Sequence, residues 1–157
     1  RLAKEAGCAP MTIYAHFEGK TDILRYLWAD ILADMSKEIQ TTLYAVVGAR
    51  ERLQTATQIF LAYWIDNPDH FRLVFMSNDV TRKDVSKFVL DEDTLAHFKM
   101  FAGLIKDANP DRHDLKVRND TLISGLIGIA LSLNTIPDYP WAKANLMASQ
   151  LLSSINS

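Results

Sequence analysis

The chain has a single cysteine, Cys8, in 157 residues. That excludes an intramolecular disulfide and a multi-cysteine zinc site, and it leans toward a reducing compartment. A basic surplus is also missing: 17 Lys+Arg stand against 19 Asp+Glu, a formal charge of −2, whereas a domain built on phosphate contacts usually carries an excess of positive charge. There is no long apolar run. The longest, Leu122 to Leu133, is broken by Ser124, Gly125, Gly128 and Ser132 and spans about 12 residues where a bilayer needs about 20, which argues against a membrane span. The chain opens Arg1-Leu2-Ala3-Lys4, with no initiator Met and no apolar signal core. No targeting peptide is read there, and the chain is expected to start inside an element.

What is present is 48% hydrophobic and 23% charged residues, the balance of one soluble globular domain able to bury roughly 70% of its unfolded surface without a staple. The near-zero charge averages two unequal parts. Residues 1–25 hold four basic and three acidic side chains, and the remaining 132 hold 13 and 16.

Glycine and proline are sparse, and between them apolar residues recur at helical spacing without strand-like alternation. The expected fold class is therefore all-α. Ile23, Leu24, Leu27, Ile31, Met35, Ile39 and Leu43 predict a long helix from about Asp22 to Val46, begun at Lys20 or Thr21 and ended by Gly48. A second helix runs over Ala49 to Asp66. Asn67-Pro68-Asp69 then reads as a new start, with Asn67 as cap, Pro68 in the first turn and Asp69 favouring the dipole. Ser77-Asn78-Asp79 predicts a loop, and Val85, Phe88 and Val89 a turn-rich helical piece. A firmer helix through Leu95, Phe98, Phe101, Ala102 and Ile105 is capped near Asp93 and ended by Asn109-Pro110. Asp114 to Leu133 forms another, polar at first and then apolar nearly all round, so part of its cover is expected from a second subunit. The last helix is placed at Trp141 to Ile155.

The first residues carry a pattern of their own. Leu2, Ala3 and Ala6 are the apolar side of a helix that stops at Gly7. Cys8 and Ala9 turn the chain, and Pro10 opens a two-turn helix with Ile13 and Phe17 facing inward. The spacing is that of a helix-turn-helix, although short Gly-ended and Pro-started helices occur in many helical proteins. The outer face presents Met11, Thr12, Tyr14, Ala15 and His16, followed by Lys20. Hydroxyls, imidazole and lysine suit phosphate contacts, while Met11 and Ala15 suit a thymine methyl. No arginine on this helix can grip guanine in bidentate fashion, so sequence readout would lean on few direct contacts and on DNA shape.

Leu2-Ala3-x-x-Ala6-Gly7, then Thr12-Ile13-Tyr14-x-His16-Phe17-x-x-Lys20-x-x-Ile23-Leu24, resembles the helix-turn-helix signature of the TetR/AcrR (tetracycline-repressor-like) family, with about a dozen positions in one register. Tyr63 to Leu73 is similar to a segment common in that family's effector domains. The resemblance implies a DNA-binding region at 1–21, incomplete because the family's first helix is absent, joined by the long linking helix to an orthogonal or antiparallel helical effector-binding and dimerisation domain at 22–157. It implies that Thr12, Tyr14, His16 and Lys20 meet DNA, with Phe17 and Ile13 in the core. It further implies a bacterial cytoplasmic regulator, expected to be a repressor, that binds a pseudo-palindromic operator as a homodimer and leaves it when a small lipophilic effector binds.

Phe60, Tyr63, Trp64, Phe75, Phe98 and Phe101, with His97 and Asn134 as polar anchors, are the expected effector site. Each of these rings also suits an ordinary core. Leu122, Leu126, Ile129, Leu133, Leu146 and Leu151 are the expected dimer contacts. His70, His97 and His113 show no metal-ligand spacing, and His97 is expected to be a solvated residue on a helix edge. Asp91-Glu92-Asp93 is explained by helix capping and dipole. With no nucleophile elbow, no phosphate loop and no histidine beside Cys8, neither an enzyme nor a cofactor is expected. A helical protein-interaction module and a carrier of hydrophobic ligands without DNA binding are the alternatives.

Overall fold

The computed structural model describes residues 19–76 and 92–156. All its regular elements are helices: α1 (Lys20–Leu43), α2 (Ala49–Asp66), α3 (Pro68–Phe75), α4 (Glu92–Ala108), α5 (Leu115–Thr135) and α6 (Ala144–Asn156). The residues read as a loop at Ser77 to Asp79 and as a helical piece through Val85, Phe88 and Val89 lie outside the described residues, as do Leu2 to Phe17.

α1 has 24 residues, about 36 Å at 1.5 Å per residue. Its buried stripe is Leu24, Trp28, Ile31, Leu32, Met35, Ser36, Ile39 and Leu43, which steps by three and four and so stays on one side of the helix. The helix ends at Leu43, short of the expected Val46. The amides of Tyr44, Ala45 and Val46 turn back onto the carbonyls of Thr41, Thr42 and Leu43, and Arg52 donates to the carbonyls of Leu43 and Val46. A cation thus meets the orphan acceptors at the helix C-terminus. Gly48 does not end this helix. It precedes the first turn of α2 with φ at 101°, a conformation that side chains with a Cβ rarely adopt.

α2 is the centre of the body, packed against α1, α3, α4, α5 and α6. Leu53, Ala56, Thr57, Phe60, Leu61 and Trp64 are its buried face, and Thr57 returns its hydroxyl to the carbonyl of Leu53 at 2.8 Å. Asn67 makes no side-chain cap for α3. Its amide instead donates to the carbonyl of Tyr63 at 2.9 Å, closing the end of α2, and Pro68 opens α3 unaided by a side-chain acceptor.

α4 is crossed by α1, α2 and α5, and α5 pairs with α6. Phe101, Leu104, Ile105, Leu122, Leu126, Ala130, Ala148, Leu152 and Ile155 join the faces of α1 and α2 in one core. Each large side chain buried there contributes roughly 1.5–3 kcal/mol. α4 begins at Glu92, beside the Asp93 expected near its start. Trp141 precedes α6, which starts at Ala144. The indole of Trp141 donates to the carbonyl of Ile136 and its ring meets Tyr139 at 4.5 Å, tying up a loop that Pro137 and Pro140 keep out of helix.

Candidate functional site

Met11, Thr12, Tyr14, Ala15 and His16 lie outside the described residues. Lys20 is described: it is the exposed first residue of α1. The chain therefore passes from the helix-turn-helix pattern directly into a long helix whose far side is packed on the body.

Polar contacts to α2, α3 and α4 fasten that helix along its length. The Trp28 indole donates to the carbonyl of Leu73 on α3 at 3.2 Å. The Tyr63 hydroxyl on α2 donates to the carbonyl of Ile31 at 3.4 Å and lies 3.0 Å from Nδ1 of His70. The hydroxyl of Ser36, a buried residue, lies 2.7 Å from Nδ1 of His97 on α4. Burial pushes the Tyr63 phenol above its usual range, and the carboxylates of Asp34, Glu38 and Asp30 raise it further, so it stays protonated and able to donate. His97 is accordingly half-buried and hydrogen-bonded. The solvated edge position expected for it does not hold, because Ser36 on the neighbouring helix supplies a partner.

The expected effector aromatics are brought together, but largely onto one another. Phe60 meets Trp64 and Phe101 edge to face at 6.0 and 5.5 Å, and Trp64 meets Tyr63 and Phe75 at 5.3 and 5.0 Å. Phe60, Trp64 and Phe101 are buried at 2%, 0% and 1% exposure; Tyr63, Phe75 and Phe98 are half-buried against them. The Asn134 amide donates to the carbonyls of Trp64 and Ala130, a structural link between α5 and α2. One atom in this cluster has no partner: the indole N–H of Trp64.

Open space lies elsewhere. A groove of about 670 Å³ runs between α1 and the start of α4, walled by Ile23, Tyr26, Leu27, Ala33 and Ala96, with Asp30 and His97 as its polar groups. His97 is the one expected effector residue that lines it. Ile23, Tyr26, Leu27, Asp30 and Ala33 repeat at helical spacing one position beside the core stripe. That displaced stripe is the signal that was present in the sequence, and the core residues beside it masked it.

The expected dimer residues divide. Leu122 and Leu126 have 0% exposure; the protomer's own core uses them, so they offer nothing to a partner. Ile129, Leu133 and Leu151 are half-buried and Leu146 is 59% exposed. With Met147 and Gln150, three of these edge a shallow groove of about 540 Å³ along α5 and α6. At Gly125 a Cβ would meet Leu151 at 2.6 Å, which explains the close approach of the two helices, while at Gly128 it would meet nothing within 4 Å.

No family model matches the chain. Its structure matches that of a candidate TetR family transcription regulator from Shewanella sp. PV-4 with a TM-score of 0.70, over 98% of this chain and 81% of that one. The chain has a TetR-type fold. The two sequences are 18% identical, as cores permit when volume and apolar pattern are kept. In this TetR-type fold α1 joins residues 1–18 to the helical body, α2 is the central helix, and α5 with α6 forms the closing pair. Among the described residues no helix is long and apolar enough to cross a membrane, and no three His, Cys, Asp or Glu side chains are grouped to hold a metal.

Proposed function

We propose that this protein is a cytoplasmic, ligand-responsive transcriptional regulator, a repressor that binds a pseudo-palindromic operator as a homodimer and has no catalytic activity. The helix-turn-helix signature of residues 2–24, which runs in one register into α1, carries the reading, and the TetR-type fold of the body supports it. Residues 1–21 are the DNA-binding region and 22–157 the effector-binding and dimerisation domain. Thr12, Tyr14, His16 and Lys20 contact the phosphate backbone and base edges, with Met11 and Ala15 against thymine methyls. Ile129, Leu133, Leu146 and Leu151 pair with their counterparts across a two-fold axis, so two recognition helices enter major grooves about 34 Å apart.

A small lipophilic effector bound beside α1 favours a conformer in which those helices no longer match the half-sites. Such a switch works only through differential affinity for the two states. The contacts that Trp28, Tyr63 and Ser36 make are where α1 would transmit the change.

The test is a mobility shift on duplexes from upstream of the gene. Tyr14→Ala and Lys20→Ala should each abolish or greatly weaken the shift, with Lys20→Ala lowering the salt slope of log K by about 1. Unchanged binding in both variants would reject the assignment. A stable complex with a different protein, with no homodimer in sedimentation, would support the interaction-module alternative.

A further inference from the structure

The groove between α1 and α4 has a chemical bias that the aromatic core lacks. Its walls are apolar, from Ile23, Leu27, Ala33 and Ala96, with Tyr26 as its aromatic side. Among the described residues Asp30 is its one carboxylate, and neither lysine nor arginine lines it. Among the described residues Asp30 has no ion-pair partner. The nearest basic residue along the same helix toward the N-terminus, Arg25, is bonded to Asp22 at 3.0 Å and lies over the Tyr26 ring. Lys37 stands about two turns beyond Asp30 and does not line the groove. Further along α1, Asp34 and Glu38 follow Asp30 at intervals of four, and all three carboxylates are close enough to hold up the Tyr63 phenol. A low-dielectric wall beside carboxylates of one sign concentrates a negative potential.

We propose that this groove binds an amphiphilic organic cation, an aryl or alkyl ammonium whose apolar body lies along Leu27 and Ala33 and whose charge meets Asp30. Charge complementarity commits the site to a cation, and the groove's volume is of the size that holds small organic ligands, about 300–1,000 Å³. The inference rests on the effector reading above and names the ligand class for it.

Calorimetric titration of the purified chain, without DNA, tests it with three probes of one shape: 4-phenylbutyltrimethylammonium, 4-phenylbutanol and 4-phenylbutylsulfonate. The cation is expected to bind at least about fivefold tighter than the alcohol, the ratio for a partly exposed ion pair of about 1 kcal/mol, and the sulfonate to bind weakest. Asp30→Asn, a change at an exposed site, should bring cation and alcohol to equal affinity. Ala33→Trp should occlude the groove and remove both. Equal affinities for the three probes, no binding of the cation at millimolar concentration, or a cation preference that survives Asp30→Asn would each overturn the proposal. The titration contains no DNA, so the two readings fail separately. A cation that binds through Asp30 without changing the mobility shift rejects effector-driven release and leaves the cation site standing.

Discussion

Trp64→Phe should cost this protein much less stability than Trp28→Phe, although the two substitutions delete the same atoms from sites 0% and 8% exposed. Shrinking indole to phenyl in a packed core loses transfer free energy and leaves a small cavity, together about 1–2 kcal/mol at either site. The polar consequences then diverge. The Trp64 N–H is buried without an acceptor, so removing it returns about 1–3 kcal/mol of desolvation penalty and leaves that variant within about 1 kcal/mol of the parent. The Trp28 N–H is bonded to the carbonyl of Leu73 in the last turn of α3, where helix carbonyls lack intrahelical donors. Removing it forfeits about 1 kcal/mol of hydrogen bonding and strands that carbonyl, so the total is about 2–4 kcal/mol. Urea melts at one fixed protein concentration, which any oligomer requires, should separate the two midpoints by about 1 M at an m-value near 2 kcal/mol/M. A Trp64→Phe midpoint as low as that of Trp28→Phe would refute the accounting and show that the Trp64 N–H has a partner in solution.

Gly48→Ala should lower the thermal midpoint by several degrees, because φ is 101° there, a backbone conformation that a residue with a Cβ adopts only under strain; a strain of about 1–2 kcal/mol is expected, and an unchanged midpoint would contradict it. Gly128 sits in open space on α5, so Gly128→Ala should raise stability by up to about 1 kcal/mol through helix propensity. Gly128→Trp should convert the proposed dimer to a monomer in sedimentation, and a dimer that persists would move the interface off this face. Arg118, bonded to Asp114 at 2.8 Å, holds that carboxyl below the usual carboxylate range, and Lys116 does the same for Asp120. Both folded values lie below the unfolded value near 3.9. The contribution of these pairs is therefore fully present above about pH 4 and disappears as pH falls through the folded values. Carboxyl NMR of Arg118→Ala should return Asp114 toward the ordinary value, and an unmoved titration would assign the shift to another cause.

Local physics made much of this protein legible in one dimension. The spacing of apolar residues is a property of a single helix, so α2 was readable to its ends, and the extent of α1, α4 and α5 to within a few residues. The misplacements sit where a tertiary partner decides: Arg52 reaching back to the carbonyls beyond Leu43, Asn67 closing α2 instead of opening α3, and the Trp141 indole held by Ile136 outside α6. The helix-turn-helix signature was likewise a matter of sequence alone, and its residues before Gly19 lie outside the described structure.

The use of each side chain was not legible in the same way. A ring at helical spacing can face a cavity or another ring, and only the packing of α2 against α4 and α3 set Phe101 against Phe60, and Phe71 and Phe75 against Trp64. Leu122 and Leu126 read as apolar surface for a second subunit until α2, α4 and α6 covered them. Asp30 and His97, 67 positions apart in the sequence, became two polar groups of one groove because α1 crosses the start of α4. Periodicity records which residues avoid water, whereas the identity of the surface that covers them is a long-range property, and it is there that an apolar stripe becomes core, interface or binding site.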